Sequence, residues 1–364
     1  MSIFVYVIKV KVNFINIYLI FATFFISLIA SLKYPVTDLK FYVTQFQTYG
    51  EYSFIDFYEA VYKDHLFYFI NKIIYEIGFT SSQFFTFFWA FIFYSLILRA
   101  VFLLFKSKFI DKEQLVLITL FFLLSVEYLI LSTHLIRQFV AGALLVYFIT
   151  SVMLSKRSYV ALFSLSFIHF SSIIFVLMYP ILKHKLSFKF STLIVIGVVF
   201  LLIFSINIEY FNGLHFNIGI LDTIIDRVVN ARAVNVDNGE LSYKMYVISS
   251  VSLIILFYLI YNNNNNLYIL IFNYLLFGFL IVLVTLDIPL LTLRFSFYQY
   301  SFYILALIIF TREFINNVRV KFLLFILLLL LYSLRFYMYF ENNLWINDNH
   351  YEQILFKSIF FYIG

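Results

Sequence analysis

The sequence predicts an all-α, polytopic integral membrane protein forming a single domain over 1–364. Three observations predict it. Only 12% of the residues are charged and 64% are hydrophobic, whereas soluble domains carry about 25% charged residues. Mean hydropathy is +0.98. Apolar stretches of about 18 residues or more recur along the chain, each long enough to cross a bilayer. Cysteine is absent, which excludes disulfides, thiol catalysis and thiolate-bound metals.

The first element follows "MSIFVYVIKVKVNF". Its apolar stretch near 14–32 is longer than a signal-peptide core and lacks a small-residue cleavage site, so it reads as an uncleaved span. Further spans are expected near 82–105, 114–131, 133–154, 190–207, 243–261, 267–286, 291–311 and 320–340, about nine in all. Lys and Arg set their orientation. Lys9 and Lys11, Lys106, Lys108 and Lys112, Lys156 and Arg157, and Arg312, Arg319 and Lys321 form the clusters expected in the cytoplasm. The C-terminus then lies outside, and the outer segments are 33–81, 208–242 and 341–364. Within the first, "LFYFINKIIYEIGF" (66–79) is amphipathic and short, and is expected to lie at the outer interface. "NNNNN" at 262–266 reads as a polar loop.

Residues 159–182, "YVALFSLSFIHFSSIIFVLMYPIL", break the alternation. Basic residues flank both ends. One crossing would place Lys183, Lys185 and Lys189 outside; two half-helices turning at "HFSS" keep both clusters inside. A re-entrant helical hairpin with His169 at its tip is therefore expected, in protein or lining a wet cavity.

Several ionisable groups fall at one depth. Arg137 lies about one turn inside the outer end of its span, followed by Gln138, and His134 three residues earlier shares its face. Arg294 sits equally deep in another span, with Tyr298 one turn further in. His169 and Glu127 point to the same outer leaflet, and Glu127 is a candidate ion-pair partner for Arg137. A single arginine there could simply snorkel to headgroups. Two arginines converging with a histidine suit phosphate or diphosphate, which guanidinium binds through paired hydrogen bonds. No metal-binding motif and no glycine-rich phosphate loop is present, so no cofactor is expected.

These residues carry a resemblance. "THLIRQFVAGALLVYFI" resembles the G-I-R-Q-A-I-A segment of EpsG-type and Wzy-type polysaccharide polymerases. "SFIHFSSIIFVLMYPIL" is similar to their L-F-H-x-S-A-x-x-x-L-P-x-Y stretch, "TDLKFYVTQFQ" to D-Y-x-x-Y, and "KDHLFYFINKI" to E-P-x-F-x-x-L-N. "LTLRFSFYQYSF" and the final "YEQIL" resemble the late arginine helix and the tail motif. The order fits nearly the whole chain. Leu135 replaces the usual glycine, Asp64 and His65 replace Glu-Pro, and the tail lacks its proline.

The resemblance implies a GT-C-like, metal-independent membrane glycosyltransferase of the bacterial inner membrane. It would join undecaprenyl-pyrophosphate-linked repeat units of O-antigen or a related surface polysaccharide at the periplasmic face. A chain-length regulator and a flippase would act in the same pathway. Arg137 and Arg294 would neutralise the leaving pyrophosphate. His169 would either deprotonate the acceptor or bind phosphate as imidazolium. His134, Gln138, Asp38, Tyr42, Asp64, Glu127, Arg227 and Tyr298 are the further substrate-binding candidates. An O-antigen ligase shares the donor and differs in acceptor. A non-enzymatic flippase for the same lipid would need a deep central cavity and usually two related halves.

Overall fold

Backbone amides in lipid find no water, so a span must close its hydrogen bonds within itself. The computed structural model describes residues 12–154, 159–182, 266–284 and 289–314, with helical positions between 320 and 338. Every regular element among them is a helix. They group into two compact units, Met1–Val176 with Leu307–Gly364, and Leu177–Ala306.

α1 (Val12–Ser31) has 20 residues, about 30 Å of rise. Its few hydroxyls bond back to the preceding turn: Thr23 Oγ1 donates to the Leu19 carbonyl at 2.8 Å and Ser27 Oγ to that of Thr23 at 2.7 Å. Pro35 follows four residues after its end and cannot continue it. Three short helices come next: α2 (Thr37–Glu51), α3 (Phe54–Ala60) and α4 (His65–Glu76). α5 (Ser82–Lys106) is opened by Ser81, whose hydroxyl accepts the Phe84 amide at 3.1 Å, and ends on Lys106. It is apolar on every side and packs accordingly, against α1 and against α8 (Ile136–Met153). α8 in turn packs on α9 (Tyr159–Ile168).

The expected span at 114–131 is broken. α6 (Lys112–Leu124), started by a capping box between Asp111 and Gln114, meets α7 (Val126–His134) at 56°. The hinge is Ser125, whose backbone is extended (ψ 113°) and whose hydroxyl donates to Glu127 Oε2 at 2.9 Å. A second break at Leu135 separates α7 from α8, so the span expected to begin at 133 begins at Ile136.

α9 ends at Ile168, and a 3-10 turn (Phe170–Ser172) leads into α10 (Ile173–Leu182), so the chain breaks at His169 where the sequence placed the turn. α11 (Asn266–Val284) and α12 (Pro289–Phe314) match the spans expected at 267–286 and 291–311. In the second unit Gly278 leaves room for the Gln299 side chain, which a Cβ would meet at 3.0 Å. The expected spans 190–207 and 243–261, and the outer segments 208–242 and 341–364, lie outside the described residues. Among the described residues two helices are long and apolar enough to cross a bilayer, Phe14–Ser31 and Ser82–Lys106, or three if the bent pair is one span.

The basic ends cluster. Arg312, in the last turn of α12, donates to the Phe109 carbonyl at 3.1 Å and lies 4.0 Å over the Phe109 ring, just beyond Lys106 and Lys108. Near the start of α5, Phe67 of α4 stacks on Trp89 at 4.4 Å, and the Trp89 indole N–H donates to Asn71 at 2.7 Å. α4 is also tied to α2: the buried Lys72 ammonium donates to the Gly50 and Tyr52 carbonyls and to Glu76. Lys72→Met would orphan two carbonyls and destabilise the protein by about 1–3 kcal/mol. Thermal unfolding in detergent should show a lower midpoint than wild type, while an unchanged midpoint would mean that water replaces the ammonium.

Candidate functional site

Asp64 is the residue around which the site forms. Its backbone is left-handed (φ 54°, ψ 38°), a conformation that Asp tolerates better than most side chains. It precedes α4 but does not cap it through its side chain. The carboxylate turns inward and is buried. Oδ2 accepts from Arg137 Nη1 at 2.6 Å, and Oδ1 accepts from the Phe170 amide, also at 2.6 Å. One side chain therefore joins the α3–α4 junction, the first turn of α8 and the turn after His169. A buried charge needs this pairing to be tolerated at all.

Arg137 is enclosed as well as paired. Tyr68, one turn along α4 from Asp64, accepts from the same Nη1 at 3.0 Å and donates its own hydroxyl to Gln45 at 2.6 Å. Burial pushes the Tyr68 hydroxyl well above the usual phenol range, so it stays a donor. The guanidinium carbon lies 5.0 Å from the centre of the Tyr42 ring, 5.5 Å from Tyr68 and 5.9 Å from Phe67. Ring faces at that range attract the cation. Arg137 Nε is buried and, among the described residues, has no hydrogen-bond partner. A single nitrogen, Nη1, carries the contacts to both Asp64 and Tyr68, and a further acceptor oxygen would complete the fork.

His169 stands beside this cluster. Its Nδ1 lies 2.7 Å from Ser171 Oγ, and its carbonyl accepts from the Ser172 amide at 3.0 Å and hydroxyl at 2.8 Å. His134 does not share a helix face with Arg137, because the break at Leu135 falls between them. Its partner comes instead from the end of α1: Lys33 Nζ lies 2.7 Å from His134 Nε2. With Lys33 charged, the ammonium donates and the proton of a neutral His134 resides on Nδ1. Burial lowers the Lys33 pKa to about 8.

The other expected residues divide. Tyr42 forms part of the cage. Asp38 lies one turn before it and is exposed. Gln138 is buried in α8. The carboxylate set against Arg137 is Asp64, while Glu127 accepts from Ser125. Arg294 and Tyr298 belong to the second unit, on α12, the arginine exposed and the tyrosine buried. Arg227 lies outside the described residues. Among the described residues no three His, Asp or Glu side chains are grouped to hold a metal ion. Tyr68, Gln45 and Lys33 were not expected. The i, i+4 spacing of Asp64 and Tyr68 was the one available signal.

The EpsG family matches residues 16–350 of the chain. No curated protein and no solved structure matches it significantly.

Two outcomes follow for the cluster. Asp64→Asn keeps the backbone and removes the counter-charge, leaving a largely enclosed guanidinium uncompensated; unfolding in detergent should show a loss of about 3 kcal/mol. Between pH 8 and 10 the folded protein holds Lys33 neutral while the unfolded chain still binds its proton, so this residue makes stability rise with pH across that window. Wild type measured against Lys33→Met should display that rise as a difference. A flat difference would mean that Lys33 keeps its proton in the fold.

Proposed function

Because the chain belongs to the EpsG family, we propose that it polymerises lipid-linked glycan repeat units by glycosyl transfer at the outer face of the bacterial inner membrane. Arg137 supports this reading best: a largely enclosed guanidinium, caged by aromatic rings, braced by Asp64 and, among the described residues, left with an unpartnered Nε beside the break at His169. A carboxylate holds the cation in place before substrate arrives, and a diphosphate oxygen supplies the missing acceptor.

In this reading an acceptor hydroxyl attacks the anomeric carbon of the donor's first sugar, and undecaprenyl pyrophosphate leaves. The transition state has oxocarbenium character. Arg137 stabilises the charge that develops on the leaving diphosphate. For Arg294 the family resemblance implies the same task. His169 is the proton acceptor in the tautomer whose Nδ1–H donates to Ser171, which makes Nε2 the basic nitrogen. His134, oriented by Lys33, and Tyr42 face the sugars. The break at His169 is read as the tip of a re-entrant hairpin within a GT-C-like core of about nine spans, and the product as O-antigen or a related surface polysaccharide.

Arg137→Lys tests the reading directly. It retains charge and loses the planar fork. In a deletion strain complemented with the variant, lipid-linked glycan resolved on a gel should collapse to a single repeat unit, with long chains reduced at least tenfold. A full ladder from Arg137→Lys would remove the diphosphate clamp, and loss of even the single unit in the deletion strain would favour a ligase or flippase.

A further inference from the structure

A cavity of about 900 Å³ opens beside the Asp64 junction. Its size is at the upper end for small-ligand sites. α3 and α4 form one wall, with Phe57, Val61 and Phe69; α9 forms the other, with Phe163 and Phe167. α4 packs directly on α9, so the trough between them is part of the fold. Few polar groups enter it, among them His65 and Ser164. Phe163 is 62% exposed, which leaves its ring free to cover something else.

Both walls start from the same polar point. His65 follows Asp64 in sequence, and Phe167 lies two residues before His169, whose successor gives its amide to Asp64. The His65 and Phe167 end of the trough therefore borders the segments that hold the Arg137–Asp64 cluster. The trough is short: α9 has 10 residues, about 15 Å of rise, half of a ~30 Å hydrocarbon core. The fitting chemistry is one apolar chain, confined to one leaflet, with an anion at its head.

We propose that this groove holds the proximal isoprenoid units of the polyprenyl diphosphate substrate. The proposal rests on reading Arg137 as the diphosphate site and adds the place where the lipid is held. The groove would select a single branched chain by lining it with ring edges, and would align the diphosphate on the guanidinium before reaction.

The test uses the full chain in phosphatidylethanolamine–phosphatidylglycerol nanodiscs. A benzophenone amino acid replacing Phe163 should crosslink added radiolabelled undecaprenyl diphosphate, and excess unlabelled undecaprenyl diphosphate should compete. Ser164→Trp, filling the groove, should weaken undecaprenyl diphosphate binding at least tenfold and leave inorganic pyrophosphate binding unchanged. Crosslinks confined to bulk phospholipid, or a monodisperse Ser164→Trp that binds the lipid like wild type, would overturn the proposal. If Ser164→Trp is not monodisperse, the crosslink decides. Arg137→Ala separates the two readings: lipid binding that survives it but not Ser164→Trp keeps the groove and removes the diphosphate clamp.

Discussion

The contact between Asp64 and Arg137 constrains everything around it. A carboxylate and a guanidinium at 2.6 Å, both largely out of solvent, tolerate each other only if their remaining valences are answered. The surroundings answer them on one side: the Phe170 amide takes the second carboxylate oxygen, and Tyr68 with the aromatic rings takes the cation. Every helix that touches the pair is thereby positioned. α4 cannot slide along α9 without opening the Phe170 contact, and α8 cannot rotate without withdrawing its first turn. The left-handed backbone at Asp64 is the local cost of aiming the carboxylate inward rather than along its own helix.

α5 supplies the rigid reference for this arrangement. Its buried face packs against both α1 and α8, while the stripe that ends at the exposed Arg99 is left partly open, so packing on the buried side sets its register. The Phe67–Trp89 stack and the Asn71–Trp89 hydrogen bond transfer that register to α4. The basic residues around Phe109 and Arg312 lie at the other end of α5, which matches one polar chemical face and one cationic anchoring face. Charge asymmetry along a bundle of this kind is what orients it in a membrane.

Much of the fold was legible because uniform apolar runs leave few alternatives. The stretches at 14–32 and 82–105 became α1 and α5 with boundaries within two residues. The break at His169 was legible from basic residues on both flanks. The breaks at Ser125 and Leu135 were not, since the run from 112 to 153 contains neither proline nor an early glycine, and ordinary residues adopt both hinge conformations. In the site, Arg137 and His169 stood out as polar groups in apolar surroundings. The partner of Arg137 did not, because Asp64 is 73 residues away and competed with nearer acids such as Glu127. Tyr68 was hidden by abundance: among 30 tyrosines and 51 phenylalanines an aromatic residue carries little information.

The long separations in this site set an order of assembly. Asp64 leaves the ribosome well before either partner, Arg137 73 residues later and the Phe170 amide 106 residues later. Trp89 follows soon enough for α4 to stack on it, but until Arg137 arrives the carboxylate has no counter-charge, and the amphipathic face of α4 suits a wait in the headgroup layer. Arg137 likewise enters the bilayer at the head of α8 before the loop ahead of α4 closes over it, at a cost of a few kcal/mol for an unpaired arginine. The site therefore forms only after α8 and the turn at Phe170–Ser172 have been made. Its polar centre is what converts a set of separately inserted helices into one folded body.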